Sequence, residues 1–167
     1  MKIEHHAILK EMEKGTIGRL TFSRYDVATG IAHERHLELI LKEALQFLLQ
    51  CHQSNLETLF ASCEPDHQVY LITMQFQNQS LSNLLIDGSP SNNQHFKKQI
   101  ELVSTNGLYQ FNSADPRGFS STFIQPGNYQ PEYDEASLEN IWLSNILYQI
   151  QDSITKNQII YLGGTGT

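Results

Sequence analysis

Two cysteines, one tryptophan and a low share of charge set the first limits on this 167-residue chain. Cys51 and Cys63 stand far apart with no CxxC spacing, which excludes a dense disulfide framework and a cysteine-built zinc site. They read as buried or half-buried thiols in a reducing compartment. A chain of this size buries roughly 70% of the surface its unfolded form exposes, so it needs neither bridge nor metal to hold a core. No apolar run approaches the roughly 20 residues that span a bilayer. Residues 1–6 are polar and lead into an amphipathic helix instead of the apolar stretch of a signal peptide, so the cytoplasm is the expected location. Basic residues are scarcer than acidic ones, 11 against 18, giving a net charge of −7. Such a surface repels phosphate backbones, and nucleic acid is not an expected partner. The short basic run Lys97-Lys98 reads as a solvated strand end.

Catalytic motifs are also missing. There is no Ser/His/Asp arrangement, nucleophile elbow or HExxH sequence, and no GxGxxG follows a first strand. Gly163-Gly164-Thr165-Gly166 has the glycines of a phosphate loop but no helix after them, so it reads as a frayed tail. His33 and His36, with Glu34 between, could lie on one side of a helical turn. No third ligand accompanies them, and polar surface is the simpler reading. Glu38 and Lys42 stand at i and i+4, the favourable order for a helix ion pair.

What is present is a clear succession of periodic segments. Residues 5–14 have a short helical pattern, with Ile8, Leu9 and Met12 on one face and Gly15 as its stop. Residues 17–25 alternate as a strand, Leu20 and Phe22 sharing a face. From 32 to 50, Leu37, Ile40, Leu41, Ala44, Leu45 and Leu48 make a continuous apolar helical stripe. Strands follow at 56–62 and 68–76. The second is apolar on both faces, which assigns it to the middle of a sheet. A turn at 77–79 leads to a return strand at 80–87, and a Gly/Ser/Pro/Asn loop covers 88–93. Strands at 99–104 and 108–111 flank Asn106-Gly107, a type I′ turn signal. Residues 112–134 are irregular, a helix covers 135–156, and 158–162 is a last short strand. Runs of sequential strands with hairpin turns predict one α+β domain: a largely antiparallel or mixed open sheet of about six strands, with helices packed on one face.

In order and spacing these segments resemble the C-terminal domain of the Gfo/Idh/MocA family of NAD(P)-dependent oxidoreductases. The resemblance covers nearly the whole chain. It rests on Lys14-Gly15-Thr16-Ile17-Gly18-Arg19-Leu20 before the first strand, and on the strand-turn-strand from Asp66-His67-Gln68-Val69 to Phe76-Gln77-Asn78-Gln79-Ser80-Leu81. The hairpin Ile100-Glu101-Leu102-Val103-Ser104-Thr105-Asn106-Gly107-Leu108-Tyr109, the final helix and the 158–162 segment complete it.

The resemblance implies a substrate-binding and dimerisation domain that is not catalytic on its own. Family enzymes carry a separate N-terminal Rossmann domain with the glycine-rich dinucleotide loop and a catalytic lysine in an E-K-P motif, and neither motif occurs here. NAD(P) is therefore expected only if a Rossmann domain is supplied in cis or in trans. The family's D-x-x-x-H pair falls on the helix at 32–50, where Glu38 takes the acidic position and Lys42 the histidine position. These two are the candidate catalytic residues. A homodimer through the open sheet face is the expected assembly. A stand-alone interaction or small-molecule-binding domain derived from the same fold, with a pocket under the 112–134 loop, is the alternative.

Overall fold

The computed structural model describes residues 3–30, 34–64, 68–89, 96–114, 119–121 and 141–162. The elements in chain order are α1 (Ile3–Glu13), β1 (Leu20–Ala28), α2 (Glu34–His52), β2 (Leu56–Glu64), β3 (Val69–Phe76), β4 (Leu81–Asp87), β5 (Lys97–Ser104), β6 (Gly107–Asn112), β7 (Phe119–Ser121), α3 (Ile141–Lys156) and β8 (Ile160–Tyr161). The strands form one sheet in the order β7-β6-β5-β1-β4-β3-β2-β8. β1 and β4 run parallel, and every other neighbouring pair is antiparallel. The sheet is thus mixed and open, and the α+β class holds. It has more strands than the six or so expected. β7 lies in the stretch read as irregular and is only three residues long, too short for periodicity to mark it, whereas β8 falls within the short strand expected at 158–162.

One face of the sheet carries the core. Tyr25 and Val27 of β1, Leu59 and Ala61 of β2, Ile72, Met74 and Phe76 of β3, Leu84 and Ile86 of β4, and Ile100 and Leu102 of β5 are all buried. They pack into one cluster with Ile8 of α1, with Leu37, Leu41, Leu45 and Leu48 of α2, and with Leu143, Ile146 and Ile150 of α3. The helical stripe of α2 is the largest contributor. Each large aliphatic side chain it buries is worth about 1.5–3 kcal/mol.

The helix ends follow local chemistry. Gly15 takes φ 71° after α1, with Gly15 N–H bonded to the Met12 carbonyl at 2.9 Å and Thr16 N–H to that of Glu11 at 3.3 Å, a Schellman cap. Asn157, at φ 50°, ends α3 through the same pair of bonds.

Several local expectations need correction. β1 shifts register between Leu20 and Phe22, so Leu20 faces the helices while Phe22 turns to the opposite face. The β5–β6 turn is centred on Thr105-Asn106, since Ser104 pairs with Gly107. Neither central residue has a positive φ, so the turn is not type I′. The Lys97-Lys98 pair is not a solvated end: Lys98 is 4% exposed. The tail at 163–167, His33, the 88–93 loop beyond Ser89, most of 112–134 and residues 135–140 lie outside the described residues. No described helix is long and apolar enough to cross a membrane.

Candidate functional site

Glu38 and Lys42 lie in the first half of α2, and their side chains form an ion pair at 2.7 Å. The stripe that includes Leu37 and Leu41 turns to the sheet, which leaves Glu38 52% and Lys42 31% exposed on the outer side of the helix. His36 is exposed on the same helix. As the structure stands, the pair can act as a charge couple toward something outside the domain, and an exposed couple of this kind adds only about 0.2–1 kcal/mol to stability.

The start of α2 sits over the carboxyl ends of the two parallel strands. Thr29 N–H bonds the Asp87 carbonyl at 2.9 Å, and Gly88 N–H bonds the Gln68 carbonyl at 3.2 Å. A Cβ on Gly88 would come within 2.8 and 2.9 Å of the Leu37 methyls, so glycine is what lets α2 approach this closely. Beside it, the side-chain carbonyl oxygen of Gln68 is buried without a hydrogen-bond partner.

Two buried polar groups fix the helices that carry and flank this end. Lys98, on the inward-facing row of β5, donates to Glu4 Oε1 of α1 at 2.8 Å and to Glu43 Oε1 of α2 at 3.1 Å. Its ammonium also lies 3.3 Å from His5 Nε2, and the Tyr25 hydroxyl is 3.0 Å from that nitrogen. His5 stacks on Phe47 with centroids 4.1 Å apart. Burial first, and then the Glu43 and Glu4 carboxylates, push the Tyr25 phenol far above its ordinary range, so it stays a proton donor. Tyr109, raised in the same way by burial and Glu4, donates to the Glu4 backbone carbonyl at 3.0 Å.

At the other end of α2, His52 Nε2 is hydrogen-bonded to Ser23 Oγ at 2.8 Å and Nδ1 to Ser80 Oγ at 2.6 Å. Ser23 in turn bonds Ser82 at 2.7 Å. Burial pushes His52 down to about 4, so the ring is neutral near pH 7 and stacks on Phe76 at 3.9 Å. Sequence reading missed both groups, although a signal existed. Lys98 has the strand parity of Ile100 and Leu102, and Ser23 and Ser82 have that of Tyr25 and Leu84.

Among the described residues, the side chains of the opposite face of the sheet are not part of the core cluster that the helices pack against. Register places Leu108, Val103, Phe22, Leu81, Gln75 and Thr58 in one row across it. The next row is Gln110, Glu101, Arg24, Asn83, Thr73 and Phe60, followed by Asp26, Leu85 and Leu71. Leu81 and Leu71 are 46% and 44% exposed. Arg24 Nε donates to Asp26 Oδ2 at 2.8 Å, yet burial still raises Asp26 above the ordinary carboxylate value. β3 does lie inside the sheet, as its two-sided apolar pattern predicts, but its second face is this half-open one.

β1 passes toward α2 through Thr29 and Gly30, without the successive glycines a pyrophosphate cradle requires.

No protein-family model matches the chain, and no curated protein matches it. Solved structures do. An oxidoreductase from Thermotoga maritima superposes with a TM-score of 0.71 at 13% identity, covering 95% of this chain and 60% of the other. The WlbA dehydrogenase from Bordetella pertussis, solved with NADH and UDP-GlcNAcA, gives 0.70 at 11% identity over 98% and 62%. An oxidoreductase domain protein from Kribbella flavida gives 0.69 at 12% identity over 97% and 64%. The chain therefore spans less than two thirds of the length of these proteins, and what it shares with them is the α+β fold.

Proposed function

We propose that the chain is the substrate-binding and dimerisation domain of a Gfo/Idh/MocA-like oxidoreductase, not catalytic alone and working with a nucleotide-binding domain in cis or in trans. The observation that carries this reading is the fold likeness itself. Nearly all of the chain superposes on oxidoreductases, while a third or more of each of those proteins has no counterpart in it. Glu38 and Lys42, exposed on α2, are the groups that would meet a substrate held against the second domain. The half-open sheet face, with apolar side chains around the Arg24–Asp26 couple, is the surface that would receive a second copy.

The test is a calorimetric titration of NADH into the chain alone and into a mixture with a family nucleotide-binding domain, followed by a sugar and polyol oxidation assay. The expected result is cofactor binding and turnover in the mixture only, with turnover reduced by Glu38→Gln or Lys42→Met while the melting temperature holds. Tight NADH binding by the chain alone would overturn the reading.

The unpartnered buried oxygen of Gln68 favours a second reading, a stand-alone small-molecule-binding domain. A melting-temperature rise with a sugar, absent in Gln68→Leu, would support it over the first.

A further inference from the structure

Arg24 of β1 stands directly opposite Glu101 of β5 on the half-open face of the sheet. Opposite charges in that relation ordinarily bond across the strands. Among the described residues these two do not. Arg24 Nε donates to Asp26 Oδ2 of its own strand at 2.8 Å, and Glu101 Oε2 accepts from Gln110 Nε2 of β6 at 2.8 Å. Arg24 stays 59% exposed, against 19% for Asp26. A guanidinium held through one nitrogen keeps the rest of its donor fork for another carboxylate.

β5 and β1 are neighbours inside the sheet, flanked by β6 on one side and β4 on the other. Arg24 and Glu101 share a polar row with Gln110 and Asn83. Beside it runs the apolar row of Leu108, Val103, Phe22 and Leu81. Two sheets stacked face to face keep their strands within about 30° of each other. A two-fold axis along the strands, between β1 and β5, sets β1 of one copy over β5 of the other and keeps every row at its own height. Arg24 then meets Glu101 of the second copy, and Glu101 meets its Arg24, the reciprocal contact of an isologous interface. Phe22 falls over Val103 and Leu81 over Leu108, so the apolar row also meets itself. An axis across the strands through the polar row would set Arg24 against Arg24, which like-charge repulsion disfavours.

We infer that Arg24 and Glu101 set the register of self-association, each Arg24 bridging Glu101 of a second copy across a two-fold axis that runs along β1 and β5. This contact rests on the dimerisation reading of the face and selects one mode of pairing within it.

Charge reversal in separate chains tests it. Sedimentation is measured for the unaltered chain, for Arg24→Glu, for Glu101→Arg and for an equimolar mixture of the two variants, with folding checked by circular dichroism. Each variant alone places like charges together at both reciprocal contacts. Its dimer dissociation constant is expected to rise about tenfold or more. In the mixture both contacts are again opposite in sign. The expected result there is a dimer with one copy of each variant, identified by native mass spectrometry. An ion pair confined to one chain would not be restored by mixing. Arg24→Asp with Glu101→Lys replaces the first pair if either of its members does not fold. A monomeric mixture of two folded variants would overturn the inference and leave the dimer reading standing, as would variants that dimerise as tightly as the unaltered chain. A monomeric unaltered chain would overturn both.

Discussion

His52 Nδ1 meets Ser80 Oγ at 2.6 Å, and this bond joins the last turn of α2 to the turn between β3 and β4. Ser80 also donates to Asn78 Oδ1 at 2.6 Å, and Asn78 reaches back to the His52 carbonyl at 3.1 Å. The imidazole is thus the pin of a closed polar ring inside the core.

That pin makes the fold acid-sensitive. In the unfolded chain His52 titrates near 6.5, whereas burial lowers it to about 4 in the fold. Between those values the unfolded chain binds the extra proton, so stability is full above about pH 6.5 and declines as pH falls toward 4. The contribution lost is on the order of 3 kcal/mol. Urea denaturation at neutral pH and at about pH 5 is expected to give a smaller acid-induced loss for His52→Asn than for the unaltered chain. Equal losses would remove His52 from the account.

Lys98→Met takes the cation from between Glu4 and Glu43, and one of those carboxylates is almost completely buried. Breaking a buried ion pair by removing one partner costs about 3–5 kcal/mol. Adding Glu4→Gln to Lys98→Met removes the stranded charge and is expected to recover a large part of that loss. Thermal and urea unfolding of the two variants measure both steps.

Gly88→Ala drives a methyl into the Leu37 side chain and toward the Gln68 carbonyl, 3.3 Å away. Overpacking of this kind costs about 1–3 kcal/mol. Because the clash is with Leu37, the cost is expected to shrink when Leu37→Ala is present. A double-mutant cycle reads that coupling directly.

Much of this architecture was legible in the sequence. The stripe from Leu37 to Leu48 announced α2, Gly15 marked the end of α1, and the alternation from Val69 to Phe76 placed β3 inside the sheet. What was not legible depends on partners distant in the chain. Phe22 sits on the half-open face because of a register shift that only pairing with β5 creates. Lys98 looked like surface charge because its two anions are 94 and 55 residues away. The Asn106-Gly107 signal lost to the strand register, which closes the hairpin one residue earlier. Glu38 and Lys42 were correctly paired as a helix couple.

The half-open sheet face is where the proposed dimerisation is tested most directly. Light scattering at micromolar concentration measures whether two copies join there. The expected result is a dimer that Leu81→Glu or Phe22→Asp converts to monomer without unfolding the domain, since both side chains lie on that face and outside the core cluster. A monomeric unaltered chain, or a dimer indifferent to both substitutions, would contradict it.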